Sequence, residues 1–441
     1  MRQRVEKKLN QHLMLPIKLF MGREKSGGIV LILSVTLAMI LANSNIAESY
    51  FHIFEQKVGF IVNGEPYLNC SLHHWINDGL MAMFFFVVGL ELKREFIGGE
   101  LADIRNTILP IGAAIGGMIV PALIFLSLNI GTPQTMGWGI PMATDIAFAL
   151  GVVYLLGDKV PVSAKVFLTT LAIVDDLGAV LVIAFFYTSE LSIASLLFGL
   201  AFLAVMFIGN RLGIKSLFFY AALGIGGVWV TFLLSGIHAT IAAVLAAFMI
   251  PADAKINESV YLKRMKKLTR RFEKEEPNEV RTLEEGQVDV LTHIQHDTEI
   301  AIPLLQQLEH KMSPIVTFLI MPIFAIANAG ISFTDLSLSD IFSTHVALGV
   351  TLGLLLGKPI GIIGATFLMV KMRWATLPSA ITRRTLLGLG MLASIGFTMS
   401  MFISTLAFTD ELLMTQAKLG IFLASILGGI GGYVLLNKKS K

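Results

Sequence analysis

Two adjacent aspartates, Asp175 and Asp176, lie in the middle of residues 166–187, a run that is otherwise almost entirely apolar. A helix that crosses a bilayer needs about 20 apolar residues, and this run is long enough. A charged side chain at the centre of such a helix costs roughly 2.5–3.5 kcal/mol by insertion scales. Because packing alone does not favour two carboxylates at that depth, their position indicates a site that handles an ion or a proton.

Two further apolar runs carry ionisable side chains at depth. Thr144 and Asp145 lie within residues 137–151, and Lys358 lies within residues 353–361. Ionisable residues inside membrane spans normally face the protein interior or a water-filled cavity, where they mark ion pathways and proton relays. A buried ion pair with a purely structural role would account for any one of them. Three carboxylates and one lysine together favour transport instead.

The oxygen chemistry of these residues suits a small hard cation. Na⁺, like Mg²⁺ and Ca²⁺, prefers oxygen ligands, which carboxylates, carbonyls and Thr hydroxyls supply. One carboxylate can hold either a proton or Na⁺, but not comfortably both, and that competition amounts to exchange. We therefore predict that Na⁺ binds at Asp175 and Asp176. Neighbouring residues on a helix point about 100° apart, so one of the pair is expected to line a cavity while the other supports it.

Helix-breaking residues accompany these charges. Gly137, Gly139 and Pro141 precede Asp145, and Pro removes a backbone donor and frees a carbonyl. Interrupted helices at membrane depth are tolerated only where they are buried in protein or line a cavity. Half-helix ends carry partial charges, so we expect Asp145 to face helix N-termini and Lys358 to face C-termini. A matching break is predicted in the eleventh span by Gly388, Gly390, Gly396 and Thr398.

The composition is that of a polytopic membrane protein. Of 441 residues, 55% are hydrophobic and 15% are charged, against about 25% charged in soluble domains. The formal net charge of +3 is too small to indicate a nucleic-acid partner. The single cysteine, Cys70, excludes an internal disulfide and a zinc site built from cysteines. We expect no cofactor.

Twelve apolar runs predict an all-α protein with twelve transmembrane helices. They form a single membrane domain over residues 1–441, with the spans at about 28–436. Lys and Arg concentrate in cytoplasmic loops, and here they alternate at every turn, with only Lys57 in an outside connection. This alternation predicts that both termini are cytoplasmic. The predicted spans are 28–46, 74–92, 107–128, 136–156, 163–187, 192–209, 216–233, 236–251, 314–332, 345–369, 386–408 and 418–436.

Two connections between spans are unusual. The outside loop at 51–70 contains Asn63–Gly64 between apolar residues, which is a β-hairpin signal. The segment at 252–313, between spans eight and nine, begins with a basic stretch and then turns acidic. We predict that it is a solvated cytoplasmic insertion near anionic headgroups. A regulatory role for this insertion stays open.

Six sequence strings, spread in order over about residues 25–436, resemble those of the NhaA family of bacterial sodium/proton antiporters. The strings are GIPMATDIAFALG at 139–151, LAIVDDLGA at 171–179, SGIHAT at 235–240, FAIANAG at 324–330, GKPIG at 357–361 and IGFTMS at 395–400. The resemblance implies inverted repeats in which spans four and eleven are broken helices that cross near the midplane. It also implies pH-regulated, electrogenic exchange of Na⁺ or Li⁺ for H⁺ in the bacterial inner membrane, by a homodimer joined through the periplasmic hairpin.

The same resemblance implies roles for the buried residues. Asp176 would be the primary Na⁺ ligand and proton carrier. Asp175 would bind Na⁺ or pair with Lys358, which would supply the counter-charge and itself lose a proton in some steps. Asp145 and Thr144 would support the site and balance helix ends. One further family position, at the periplasmic funnel, is matched by Asp78.

Charged groups at the inner ends of spans two and nine resemble the family's pH-sensing region. The candidates are Glu91, Arg94, Glu95, Glu309 and His310, with His238 as a further candidate. An ordinary charged helix end is the alternative interpretation of this cluster. The sequence also departs from the family pattern, because Gln306, Gln307 and Ser313 stand where basic residues and a second histidine are often found.

Other classes of protein are less consistent with the sequence. A sodium-coupled solute symporter is the main alternative, and a cation channel is another. An ATP-driven pump needs a phosphate loop, but residues 353–359 read G-x-x-x-G-K-P, one residue short and without the Ser or Thr that binds Mg²⁺. An intramembrane aspartyl protease would carry Gly-x-Gly-Asp, which is absent. We therefore predict a transporter and not an enzyme.

Overall fold

The computed structural model describes residues 26–62, 65–188, 192–275, 282–333 and 345–437, and these are mostly helical. Its first half contains α1 (Ser26–Ala42), α2 (Ala47–Glu55), β1 (Lys57–Val62), β2 (Glu65–Ser71), α3 (Leu72–Gly98), α4 (Ile104–Asn129), α5 (Ile146–Leu156), α6 (Val162–Phe186), α7 (Ile193–Arg211), α8 (Leu217–Ser235) and α9 (Ala239–Met249). Its second half contains α10 (Glu258–Phe272), α11 (Glu285–Ala301), α12 (Leu304–Asn328), α13 (Val346–Lys371), α14 (Arg383–Ala393), α15 (Phe397–Ala407) and α16 (Glu411–Asn437).

Nine helices within the described part of the chain are long and apolar enough to cross a membrane, and two bent helix pairs raise that number to as many as eleven. The chain is therefore a multi-pass membrane protein. The twelve spans predicted from the sequence exceed this number by one, and the short apolar helix α9 occupies the predicted eighth position. In the first bent pair, α1 and α2 meet at 111°, a bend that was not predicted from the sequence.

Both predicted helix breaks are present. A 3₁₀-helix over Pro133–Met142 gives way to extended backbone at Ala143, and α5 begins only after Asp145. The second break separates α14 from α15, whose axes differ by 44°. The two breaks touch, because the amide of Asp145 donates to the carbonyl of Ile395 at 2.6 Å. Each break thus satisfies backbone groups that the other leaves free.

Small residues bring α13 against α4. A Cβ atom at Gly361 would collide with the carbonyl oxygen of Gly116, and one at Gly117 would lie 2.9 Å from Ile362. Such close backbone approach is the usual function of glycine between membrane helices. The contact fixes the middle of α13, the part of the helix that carries Lys358.

The two unusual connections are both ordered in their described parts. β1 and β2 pair antiparallel, with Lys57 opposite Ser71 and an irregularity between Val58 and Phe60. The predicted turn, Asn63–Gly64, lies outside the described residues. Helices α10 and α11 form an α-helical hairpin.

Residues 304–313 were predicted to belong to the solvated 252–313 insertion, but they form the first turns of α12. Leu304, Leu305 and Leu308 are buried against the helix bundle.

Candidate functional site

The Asp175 carboxylate is completely buried on α6 and is ion-paired. Its Oδ2 atom accepts hydrogen bonds from Lys358 Nζ and, at 2.7 Å, from the Thr144 hydroxyl. Both Asp175 and Lys358 have 0% exposure. A buried charge needs a partner and hydrogen bonds to offset its desolvation, and Asp175 has both. Its second oxygen, Oδ1, has no hydrogen-bond partner among the described residues.

Lys358 reaches this carboxylate from α13, just after a π-helical turn over Gly353–Gly357. Its ammonium group also donates to Thr144 Oγ1 at 2.8 Å. The same Thr144 oxygen lies 3.0 Å from the carbonyl of Ala393, near the end of α14. The broken-helix pattern predicted that Lys358 faces helix C-termini. The structure gives it Thr144 and Asp175 as partners, and the threonine hydroxyl is the group that contacts the end of α14.

Asp145 lies at the N-termini of two helices, as expected. One oxygen, Oδ1, accepts from the amide of Phe148 at 3.1 Å and caps α5. The other, Oδ2, accepts from the amide of Thr398 at 3.0 Å, and also from its hydroxyl, at the start of α15. Carboxylates are favoured where helix N-termini converge. Asp145 therefore fixes the two breaks relative to each other.

Asp176 is in a different environment from its neighbour. It is 2% exposed, and it lines a cavity of about 130 Å³ together with Glu91, Ser313 and Thr317. Its Oδ1 atom has no hydrogen-bond partner in the described part of the chain. Ser313 of α12, which also lines this cavity, is exposed at the surface of the protein. One aspartate thus lines the cavity and the other is paired, which is the arrangement expected of side chains about 100° apart.

The inner-end candidates form a partial cluster. Arg94 Nε lies 3.0 Å from both carboxylate oxygens of Glu309, and its Nη2 lies 2.9 Å from Glu95. These contacts join α3 to α12 beside the cavity, into which Glu91 also projects. His310 is exposed.

The other two sequence candidates lie apart from this cluster. The ring of His238, through Nε2, is 2.8 Å from the carbonyl of Tyr187, just beyond the end of α6. Asp78, on the first turns of α3, is 3.2 Å from His74 in an i,i+4 pair. Among the described residues, neither His238 nor Asp78 forms a hydrogen bond or an ion pair with Asp175 or Asp176.

Two residues that hold the breaks were missed. The hydroxyl of Tyr187 donates to the carbonyl of Met136 at 2.6 Å and accepts from the amide of Gly139 at 3.2 Å. The hydroxyl of Ser400 donates to the carbonyl of Ile140 at 2.7 Å. An aromatic residue or a serine in an apolar run carries no signal of such a long-range contact, so the sequence offered no means of finding them.

A bundle of apolar helices that encloses a lysine–aspartate pair, with a second aspartate open to a cavity, defines an ion-coupled membrane transporter. The sequence profile of a family described as Na⁺/H⁺ antiporter 1 matches residues 18–436. The chain belongs to this Na⁺/H⁺ antiporter family.

Its curated relatives are similar over nearly their whole length. A protein of Syntrophotalea carbinolica named Na⁺/H⁺ antiporter NhaA 2 is 49% identical over 430 residues, which cover 96% of this chain and 97% of the relative. Na⁺/H⁺ antiporters NhaA of Wolinella succinogenes and Helicobacter pylori are each 47% identical. The matches cover 95% and 98% of this chain, and 92% and 97% of the two relatives.

Proposed function

We propose that this Na⁺/H⁺ antiporter exchanges its two ions at Asp176. The observation that carries the proposal is the difference between the two neighbouring carboxylates. Asp175 is held by Lys358 and Thr144, whereas Asp176 lines the cavity with an unpartnered oxygen. A carboxylate that lines a cavity and has an oxygen without a partner among the described residues is free to take a proton or a cation, and binding one displaces the other.

The neighbouring ion pair would complete the exchange. In the proton-loaded state, Asp176 is neutral and the Asp175–Lys358 pair is closed. Entry of Na⁺ releases the proton of Asp176, and a second carboxylate ligand becomes available when Asp175 leaves Lys358. The freed lysine is then a buried cation without a partner, a state that favours loss of its own proton. Two protons against one Na⁺ would make transport electrogenic, with about 2.3 kcal/mol per net charge at 100 mV.

The hydrogen bonds between the two breaks support the movement that exchange requires. Asp145 connects α5 to α15, and Ile395 accepts from its backbone. Short half-helices can tilt about such a junction more easily than continuous helices can. We infer that they belong to a single membrane domain with twelve spans and inverted repeats, and that the site faces each side of the membrane in turn. Bacterial inner-membrane location, cytoplasmic termini and acceptance of Li⁺ are parts of the same proposal.

Control by pH would act through the inner-end cluster. Arg94 holds Glu309 and Glu95 beside the cavity that Glu91 and Asp176 line. A change in the charge of this cluster alters both the entrance and the electrostatic potential that an arriving Na⁺ meets. We place His310 at the margin of this region, because it is exposed, and we give His238 and Asp78 a role at the opposite, outer end.

Dimer formation would use the β-hairpin at 51–70. Among the residues that the structure describes, β1 and β2 pair only with each other, and a two-stranded sheet is marginally stable alone. Pairing with the hairpin of a second copy would add ladder hydrogen bonds. Crosslinking at Cys70, the single cysteine, tests whether two hairpins meet in the membrane.

Exchange is tested by collapse of a pH gradient in energised everted vesicles. We expect Na⁺ and Li⁺, but not K⁺, to collapse the gradient, with activity that changes between about pH 6.5 and about pH 8.5. Asp176→Asn should abolish the response in folded protein. Asp158→Asn is the matched control, since it makes the same chemical change at an exposed turn between α5 and α6, and it should behave as wild type.

The same vesicles discriminate the alternative of a sodium-coupled symporter. A symporter would move Na⁺ only when an organic substrate is present and would leave the pH gradient intact with Na⁺ alone. Wild-type exchange in Asp176→Asn would show instead that another residue carries the ions.

A further inference from the structure

The cations of α10 fall into two groups. Arg264 and Arg271 form ion pairs with Asp297 and Asp289 on α11, at 2.9 Å and 3.0 Å. These pairs, with the Tyr261 hydroxyl 3.1 Å from Thr298, hold the two helices of the hairpin together. The side of α10 that faces α11 is thereby electrically balanced.

The remaining cations lie on one face of α10. Lys263, Lys266, Lys267 and Arg270 have the spacing i, i+3, i+4, i+7, which places them on one side of a helix. All four are exposed, and none has an ion-pair partner in the described part of the chain. At about 100° per residue, this face is centred roughly a quarter-turn around the helix from Arg264 and Arg271, and Lys267 is the member nearest to them. We refer to these four residues as the basic face of α10.

The base of the hairpin is fixed against the ends of the membrane helices. The carbonyl of Pro251 accepts from the amide of Leu305 at 3.2 Å, which joins the two ends of the segment. Lys93 of α3 donates to the carbonyl of Phe248 at 2.7 Å. Lys215, which follows α7, donates to the carbonyl of Ala254 at 2.7 Å. Contacts from α3, from α12 and from the connection between α7 and α8 therefore hold the point from which α10 departs.

We propose that the basic face of α10 docks on the anionic phospholipid headgroups of the membrane that the bundle spans. Charge complementarity is the main argument, because in the described part of the chain the acidic side chains of α11 pair with Arg264 and Arg271 and leave the four cations of the basic face without a counter-charge. Exposed apolar side chains flank the basic face, Val260 at 39% and Leu262 at 50% exposure. Basic helices with flanking apolar residues are suited to the interface between headgroups and acyl chains.

Each cation near an anionic leaflet strengthens association about fivefold. Four together are enough to shift the hairpin from mostly free to mostly docked, given that its base is already held at the membrane surface. Docking would couple the lipid composition to α12, which follows the hairpin directly and carries Glu309.

The test uses full-length protein with a label beside the basic face. Ser259 is exposed and lies one turn before Lys263, so Ser259→Cys in a Cys70→Ser background takes a fluorophore there. The protein is placed singly in nanodiscs of phosphatidylcholine with or without phosphatidylglycerol. Quenching by lipids that carry a spin label at the headgroup reports contact. We expect quenching several-fold stronger in the anionic discs, and its loss in about 1 M choline chloride, where the Debye length is about 3 Å.

Two sets of variants identify the residues responsible. Replacing all four cations by Gln should reduce quenching in anionic discs to the level of neutral discs. Exchanging Lys for Arg and Arg for Lys at the same positions keeps the charge and should keep the quenching.

Three results would overturn the proposal: equal quenching in neutral and anionic discs, full quenching in the Gln variant, or contact that appears only in discs with two copies of the chain. None depends on transport activity, so a failure here is independent of the proposed exchange at Asp176.

Discussion

Replacing Lys358 by Met removes the positive member of the buried pair while keeping a side chain of similar length. Asp175 would then remain at 0% exposure, and Thr144 would be its only hydrogen-bond donor among the described residues. Breaking a buried ion pair by removing one partner typically costs about 3–5 kcal/mol, because the other charge is left uncompensated. We expect Lys358→Met to lower the free energy of unfolding by an amount in this range.

A double variant separates the charge effect from the loss of packing. Lys358→Met with Asp175→Asn replaces both charges by neutral groups of similar shape. Such replacements are often neutral or stabilising, so the double variant should be more stable than Lys358→Met alone. Lys371→Met is the matched control, since it makes the same change at an exposed position of α13 and should alter stability by less than about 0.5 kcal/mol.

The assay is unfolding of purified protein in detergent, followed by tryptophan fluorescence in parallel for the four proteins. The predicted order of stability places wild type, the Lys371 control and the double variant above Lys358→Met. The reasoning is refuted if Lys358→Met is as stable as the control. It is refuted equally if Asp175→Asn gives no recovery in the Lys358→Met background, because an uncompensated charge on Asp175 would then not be the cause of the lost stability.

Three further perturbations probe the junction, the helix contact and the inner end. Asp145→Ala removes the acceptor at two helix N-termini and should slow exchange without abolishing it. An unchanged exchange rate in vesicles would show that Asp145 has only a structural role. Gly361→Ala drives a Cβ atom into the carbonyl of Gly116 and should cost about 1–3 kcal/mol in unfolding, whereas Gly364→Ala on the same helix meets no atom within 4 Å and should not destabilise. Arg94→Gln breaks the contact with Glu309 and should shift the pH profile of exchange relative to Arg94→Lys; identical profiles would remove this cluster from pH control.

The local chemistry of the chain predicted the breaks and the position of Asp145. Gly139 and Pro141 weaken a helix where they occur close together, because Pro removes a backbone donor and Gly is flexible, and a carboxylate just after such a break is a strong candidate for capping the next helix. The division between Asp175 and Asp176 also followed from helical geometry, because adjacent side chains cannot both face one cavity. These features depend on residues close together in the sequence.

Contacts between distant segments could not be predicted in the same way. The hydroxyls of Tyr187 and Ser400 donate to carbonyls of the first break that are distant from them in the sequence. Many other polar side chains could form such hydrogen bonds, so the sequence alone does not identify these two. The start of α12 at Leu304 was assigned to the solvated segment, because its polar residues hide an apolar stripe that is buried only by tertiary packing. The pairing of α10 with α11 depends on register, which composition does not reveal.

Competition between Na⁺ and a proton at Asp176 is the central claim, and proton release measures it directly. NaCl is added to purified protein in weakly buffered detergent solution, and the change in pH is followed, with choline chloride as the blank. We expect Na⁺ to release protons from the wild-type protein and from the Asp158→Asn variant. We expect it to release none from the Asp176→Asn variant. Proton release from Asp176→Asn equal to that from wild type would contradict the account, because the competing proton would then reside on another group.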